Sequence, residues 1–259
     1  MREVRALLLA AGKGTRLGRL TKDWPKCLMP IGKRPLLEYW LETLHSLGIN
    51  KVLVNLHHHS EKVQEFLDRP RFKNWITYTY EPILLGTAGT LLANHTFFKD
   101  CTTLLIHADN WCQCDFFDFL NSHLSKNQKK LPITMMTFDS PNPKSCGIVE
   151  TNDQGVVVSF HEKVNQPLGS LANGAVYLLE PSILRWLSAN PKISDFSKEV
   201  LPHFMEKIST WENKGIHRDI GSLKMLRLAQ KDPKPKPLWN KVDKWQKKFS
   251  DHPIFYKIK

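Results

Sequence analysis

The 259-residue sequence predicts an α/β fold, a mixed and mainly parallel sheet flanked by helices, and three observations carry that expectation. Short apolar runs of strand length alternate with helical patterns through the first half, the order that lays helices over a parallel sheet. The first apolar run, Val4–Leu9, stops at a glycine-rich stretch of the kind that meets a ligand beyond the carboxyl end of a strand. Hydrophobic residues make up 41% of the chain, enough for a sizeable core, while no segment approaches the roughly 18 apolar residues of a membrane span.

Taken in order, Val4–Leu9 is apolar as a strand buried on both faces should be, and Ala10, Ala11, Gly12 and Gly14 are small enough for a backbone to approach a ligand closely. Residues 36–47 and 61–67 carry helical periodicity on either side of a strand at 51–56. A strand at 76–81 is followed by Gly86-Thr87-Ala88-Gly89, which opens a helix to residue 93, and by a strand at 103–107 that leads to Asp109. The glycine loop, the Gly86 loop and Asp109 then all fall at carboxyl ends of strands, where one crevice could hold them. The second half is less regular, with strands at 133–138, 147–151, 156–161 and 172–179 and helices at 181–187 and 196–206. Near its end, residues 216–218 form a short strand before Asp219, and Ile220-Gly221-Ser222 opens another helix. There is no internal repeat.

The net charge of +12 is unevenly spread: from residue 231 onward nine lysines face three aspartates, so half of it sits in the last 29 residues. That segment opens as a stiff Lys/Pro connector and continues with Leu238, Trp239, Val242, Trp245 and Phe249 at roughly helical spacing. A C-terminal helix packed on the body or on a second subunit is expected, which leaves a homodimer open. Attachment to a membrane surface and binding of RNA or DNA are the competing readings. No nucleic-acid partner is expected, because that reading leaves the internal motifs idle. The five cysteines, Cys27, Cys101, Cys112, Cys114 and Cys146, are scattered and read as reduced thiols, and His57-His58-His59 reads as a loop after a strand, not a metal site. Met1–Arg5 followed by six apolar or small residues mimics a signal peptide, but the apolar run is short and is flanked by Gly12-Lys13-Gly14-Thr15-Arg16, so a cytoplasmic location is expected.

The stretch Leu9-Ala10-Ala11-Gly12-Lys13-Gly14-Thr15-Arg16, closed by Pro25-Lys26, suits a triphosphate. Backbone N–H groups supply an anion site, Arg16 a planar fork of donors and Lys26 a compact ammonium. A Walker A loop is excluded because Gly14 and Gly18 are too close and Arg19 follows them. A dinucleotide fingerprint fits poorly, since Gly12, Gly14 and Gly18 leave one residue too many and Glu38 lies in a helix.

The pattern Gly-x-Gly-Thr-Arg-Leu followed by Pro-Lys-Cys-Leu-Met-Pro-Ile-Gly-Lys-Arg-Pro-Leu-Leu resembles the signature of the sugar nucleotidyltransferases, and the likeness continues at Gly86–Gly89, Asp109, Phe160-His161-Glu162-Lys163, Asn173-Gly174 and Asp219. It covers about residues 3–230. The resemblance implies a Rossmann-like sheet of the nucleotide-diphospho-sugar transferase type and a reaction in which a sugar 1-phosphate attacks the α-phosphate of an NTP. It implies Arg16 and Lys26 as the catalytic cations and Leu9, Ala10, Ala11, Gly12, Gly14, Thr15, Gly86, Thr87 and Ala88 at the nucleotide. It further implies Gly147, Glu162, Lys163 and Asn173 at the sugar phosphate, and Asp109 with Asp219 on Mg²⁺. Two features depart from the family wording: Ala108 precedes Asp109 where glycine is usual, and Cys146 precedes Gly147 where tyrosine is common.

The wording of the Gly86 loop is nearest to the mannose 1-phosphate guanylyltransferases, so GTP and mannose 1-phosphate are the favoured substrates. Heptose 1-phosphate guanylyltransferases and uridylyl- or thymidylyltransferases are the alternatives within the family, and a catalytically silent regulator that binds nucleotide sugar is the alternative outside it. The expected organisation is a nucleotidyltransferase domain at 1–230, with a nucleotide half to about 130 and a sugar-phosphate half from 131. A basic connector and helix follow at 231–259. No hexapeptide repeat follows Asp219, so no C-terminal β-helix is expected.

Overall fold

The computed structural model describes residues 3–125 and 131–258. The expected boundary near residue 130 lies outside them. The chain begins with β1 (Val4–Leu9), α1 (Arg19–Asp23), a two-residue hairpin β2 (Pro30–Ile31) and β3 (Arg34–Pro35), α2 (Leu36–Ser46), β4 (Val52–Leu56), α3 (Ser60–Leu67) and β5 (Ile76–Tyr80). Then come α4 (Thr87–Ala93), β6 (Thr102–His107), β7 (Asn110–Gln113), α5 (Phe116–Leu124), β8 (Ile133–Asp139), β9 (Gly147–Thr151), β10 (Val157–Glu162) and β11 (Leu171–Leu179). The remainder is α6 (Pro181–Ala189), α7 (Leu201–His203), β12 (Ile208–Glu212), β13 (Ile216–Asp219), α8 (Leu223–Lys231), α9 (Lys244–Ser250) and α10 (Ile254–Ile258).

The sheet is mixed, as expected. Its strands are ordered β10-β9-β11-β6-β1-β4-β5, with β8 paired to both β11 and β12. β4 and β5 run parallel, as do β8 and β12, whereas β11 is antiparallel to β6, β8 and β9. Ala6, Leu7 and Leu8 of β1 and Leu104, Leu105 and Ile106 of β6 are buried, as their unbroken apolar runs require. No helix among the described residues is long and apolar enough to cross a membrane.

The chain divides into two compact units that interleave along the sequence. One comprises Met1–Leu7, Leu85–Ile106 and Gln113–His217, the other Leu8–Leu84, His107–Cys112 and Arg218–Lys259. Within the second, α2 sets two acidic residues one turn apart, Glu38 and Glu42, and both are buried. Each is paired with a buried arginine. Arg69 donates to Glu38 at 2.6 Å and Arg34 to Glu42 at 2.5 Å. The same arginines reach the C-terminal segment: Arg69 Nε donates to Asp243 at 2.7 Å, and Arg34 to the carbonyl of Pro235 at 2.7 Å. Arg69 also lies over the rings of Phe66, Phe72 and Trp245, at 5.0, 5.2 and 5.1 Å.

Two helices differ from expectation. Residues 196–206 do not form one helix: a π turn at Phe196–Val200 leads into the single turn of α7, where Pro202 has no N–H to donate. The C-terminal helix starts at Lys244, not near Leu238. Pro235 and Pro237 hold the connector extended, Leu238 N donates to Glu42, and Asp243 caps α9 by accepting from Gln246 N at 2.9 Å. Leu238 and Val242 stay exposed in consequence.

Arg69 is 3% exposed in its side chain and its partner Glu38 1%. Arg69→Ala would strand a buried carboxylate and release Asp243, so urea unfolding should show a loss of about 3–5 kcal/mol. A loss below 1 kcal/mol would show that the pair is not what anchors the C-terminal segment.

Candidate active site

Within the second unit, the glycine loop leaves β1 at Leu9 and is fixed at once. The backbone N–H groups of Ala10 and Ala11 donate to Asn55 Oδ1 at 2.8 and 3.3 Å, and Asn55 Nδ2 donates to Glu81 Oε1 at 2.9 Å. Gly14 has a left-handed φ of +62°, and a Cβ there would lie 2.8 Å from Thr21 Cγ2 and 3.1 Å from Lys26 Cβ. Both facts require glycine. Around Gly12, by contrast, a Cβ would meet nothing within 4 Å. The short turn Thr15–Leu17 then carries Arg16.

Lys26 sits in a turn closed by Leu28 N to Pro25 O at 3.1 Å and Met29 N to Lys26 O at 3.0 Å. Asp109 lies just past β6, where Ala108 N donates to Leu9 O, so it stands beside the end of β1. Asp219 closes β13. Lys26 Nζ donates to Asp109 Oδ2 at 2.6 Å and to Asp219 Oδ1 at 2.9 Å, and Arg16 donates to Asp219 Oδ2 at 2.6 Å. Four predicted residues therefore form one charge cluster. Lys26 is 4% exposed and the others face solvent to differing degrees.

Burial pulls the Lys26 ammonium down, but Asp109 and Asp219 outweigh it and its pKa is raised. Burial likewise raises the Asp219 carboxyl, and Lys26 with Arg16 overcomes that to hold it at about 2. The Arg16 guanidinium is raised by its hydrogen bond to Asp219. Next to Lys26, burial pushes the Cys27 thiol up to about 12, which leaves it a packing group and not a nucleophile.

The donor set bears on a metal. Asp109 and Asp219 converge on one ammonium, and no group of three or more His, Cys, Asp or Glu among the described residues could hold an ion. Two carboxylates alone suit Mg²⁺, which takes one or two from the protein and completes its shell with phosphate and water.

The first unit holds the other predicted residues. Gly86 has φ +81°, and a Cβ there would lie 2.5 Å from the carbonyl oxygen of Ser194. That carbonyl accepts from Ala88 N at 2.8 Å and Gly89 N at 3.2 Å, while Thr87 Oγ1 accepts from Phe196 N at 2.7 Å. The Ala88 and Gly89 N–H groups, in the loop expected at the nucleotide, are thus engaged inside the unit. On the β9–β10 pair, Gly147 lies opposite Glu162, and a Cβ there would come within 2.7 Å of the Glu162 carboxylate and the Phe160 ring. Lys163 leaves the strand with φ +51°, which breaks the alternation of faces and brings its ammonium 3.1 Å from Glu162 Oε1.

Asn173 is committed locally. Its Nδ2 donates to the Tyr177 hydroxyl at 2.6 Å and its Oδ1 accepts from Ala175 N at 2.9 Å, which shapes the register break of β11 and the left-handed Ala175. Beside it, His217 Nε2 donates to Gly174 O at 2.8 Å and its ring stacks on Phe138.

Sequence reasoning missed Asn55, Glu81, Ser194 and Gly221. A Cβ on Gly221 would lie 2.5 Å from an Arg16 nitrogen, and Gly221 N donates to Asp219 Oδ1 at 2.8 Å. Its place two residues after Asp219 was the available signal. The other three act on partners tens of residues away and leave no local trace.

A family model described as nucleotidyl transferase matches residues 5–234. A UTP–glucose-1-phosphate uridylyltransferase from Synechocystis is 30% identical over 217 residues, 78% of this chain and 55% of that protein. A D-glycero-α-D-manno-heptose 1-phosphate guanylyltransferase from Campylobacter jejuni is 31% identical over 191 residues, 74% of this chain and 82% of that one. The mannose-1-phosphate guanylyltransferase catalytic subunit beta of Dictyostelium discoideum is 26% identical over 227 residues, 85% of this chain and 62% of that one. The match thus spans little more than half the length of the Synechocystis protein. Among solved structures, a provisionally named glucose-1-phosphate thymidylyltransferase from Bacillus anthracis superposes with a TM-score of 0.77 at 22% identity, covering 90% of this chain and 98% of that one. With its glycine loop, paired cations and paired carboxylates inside a match that runs from residue 5 to 234, the chain belongs to the nucleotidyl transferase family.

Proposed function

We propose that the protein transfers a nucleotidyl group from an NTP to a sugar 1-phosphate, releasing pyrophosphate, with GTP and mannose 1-phosphate as the favoured pair. The observation that carries this reading is the cluster of Arg16, Lys26, Asp109 and Asp219 beside a glycine loop. An oxygen of the sugar phosphate attacks the α-phosphorus as the bond to pyrophosphate breaks, so the work is charge neutralisation and alignment, not proton transfer. Lys26 and Arg16 exchange their carboxylate partners for phosphate oxygens and stabilise the charge that grows on them. Asp109 and Asp219 would hold Mg²⁺, which when bound neutralises phosphate oxygens further. Lys163 would meet the phosphate of the acceptor, with Glu162 turning its ammonium.

A relative named for mannose 1-phosphate guanylyl transfer supports the favoured pair. A second reading keeps GTP and takes heptose 1-phosphate, because the Campylobacter relative is matched over 82% of its own length. Pyrophosphate release measured across four NTPs and a panel of sugar 1-phosphates tests both. Turnover should be fastest with GTP and mannose 1-phosphate. Preference for heptose 1-phosphate would select the second reading, and no release with any pair would refute transferase activity.

Asp109→Asn and Asp219→Asn should each lower turnover by about 100-fold or more at ordinary Mg²⁺ with the fold retained, as for loss of other preorganised charge-stabilising groups. Near-normal rates in both folded variants would exclude the two-carboxylate metal site. The substrate-free protein should also show the cluster in its acid titration. Because the Asp219 pKa is depressed, to about 2 against an ordinary value near 4, its contribution to stability is complete above pH 4 and is lost as pH falls toward 2. Carboxyl ¹³C shifts should follow that titration in the native protein, and Lys26→Met should move it upward.

A further inference from the structure

Residues 244–258 lie beyond the stretch matched by the family model, yet in the second unit they are built against the turn that carries Lys26. Trp24, two residues before Lys26, is buried, and its indole Nε1 donates to Leu28 O at 2.8 Å. That bond closes a loop with Lys26 at its centre. The indole is covered by the C-terminal segment: the His252 ring, between α9 and α10, lies 4.1 Å away and tilted by 41°, and the Phe249 ring of α9 lies 5.9 Å away and nearly parallel.

Both rings are themselves fixed. Phe249 is 2% exposed, stacks on Trp245 at 4.9 Å and meets the edge of Phe255 at 5.1 Å. Trp245 in turn packs edge-on to Phe66 of α3 at 4.9 Å. His252 Nδ1 accepts from Ile254 N at 3.1 Å, which sets the ring's tilt at the junction of α9 and α10. Lys257 pairs with Asp23 at 3.1 Å, and Arg227 Nε donates to Ile258 O at 2.9 Å, so α10 is tied to the end of α1 and to α8. The C-terminal segment thus grips the residue next but one to a buried ammonium.

We propose that Phe249 and His252 are positioning residues for Lys26: they hold the Trp24 indole, and through the Trp24–Leu28 bond they hold the turn that presents the ammonium to Asp109 and Asp219. The kinetic part rests on the transferase reading. The structural part does not. A buried lysine with four rotatable bonds keeps one place only if its backbone is immobile, and small displacements of an aligned charge are costly in rate.

The test uses the full chain with His252→Ala, His252→Phe and, as a control, Trp239→Ala, which removes another aromatic of the same segment that packs on Phe72 and Trp75, away from Trp24. Native-state hydrogen exchange at the Leu28 and Met29 amides reads the Lys26 turn directly, and steady-state kinetics read its use. In His252→Ala those two amides should exchange about tenfold faster. Turnover should fall about 10- to 100-fold with both KM values little changed. His252→Phe, which keeps a ring on the indole, should restore both. Trp239→Ala should lower Tm without either effect. Unchanged exchange in His252→Ala, faster exchange with unchanged turnover, or the same local effects from Trp239→Ala would each overturn the proposal. If the native protein transfers no nucleotidyl group, the exchange measurements still decide whether the clamp exists, and only the transferase reading falls.

Discussion

A buried ammonium organises the second unit. Lys26 is almost wholly out of water, and an unpaired charge there would be too costly to keep ionised. It is tolerated because Asp109 and Asp219 reach it from segments 83 and 193 residues away. The glycine loop, the Lys26 turn, the end of β6 and the end of β13 must therefore arrive within one hydrogen-bond radius of each other. Gly14 follows from the same constraint, since its missing side chain is what allows the Lys26 stem to pass. So does Gly221, whose missing side chain leaves room for the Arg16 guanidinium against Asp219.

The pairing also balances the cluster. Two cations and two carboxylates neutralise each other, so neither sign is left uncompensated. The cluster opens to solvent on the Arg16 side and is closed on the Lys26 side.

Much of this was legible in the chain before folding. The glycine loop and Lys26 stood out by their residue types, Asp109 and Asp219 through the resemblance of their surroundings to the sugar nucleotidyltransferase signature, and Val4–Leu9 and Gly147–Thr151 form with the predicted bounds. What was not legible depends on distant partners. Nothing around Asn55 says that its amide will hold the loop after β1, and nothing around Ser194 says that its carbonyl will take the N–H groups at the start of α4. Aromatic spacing in residues 238–249 read as one helix, but Leu238 N is drawn off by Glu42 and the helix waits for the Asp243 cap. A periodic pattern records which residues share a face. It does not record where a competing hydrogen bond ends the helix.

The basic C-terminal segment shows the same difference between composition and structure. Its charge invites an electrostatic account, but what fixes it in place is apolar and acidic: Trp245 and Phe249 buried in an aromatic stack, Asp243 held by Arg69 and Arg71. Lys236, Lys241, Lys244, Lys247 and Lys248 face solvent. Surface pairs such as Lys248 with Glu65 at 3.5 Å add little in water. The lysines therefore keep the outer face of the segment solvated, while its few aromatic and acidic residues do the docking. Docking delivers Phe249 and His252 to Trp24. A segment outside the matched family stretch is in this way packed against Trp24, two residues before the buried Lys26.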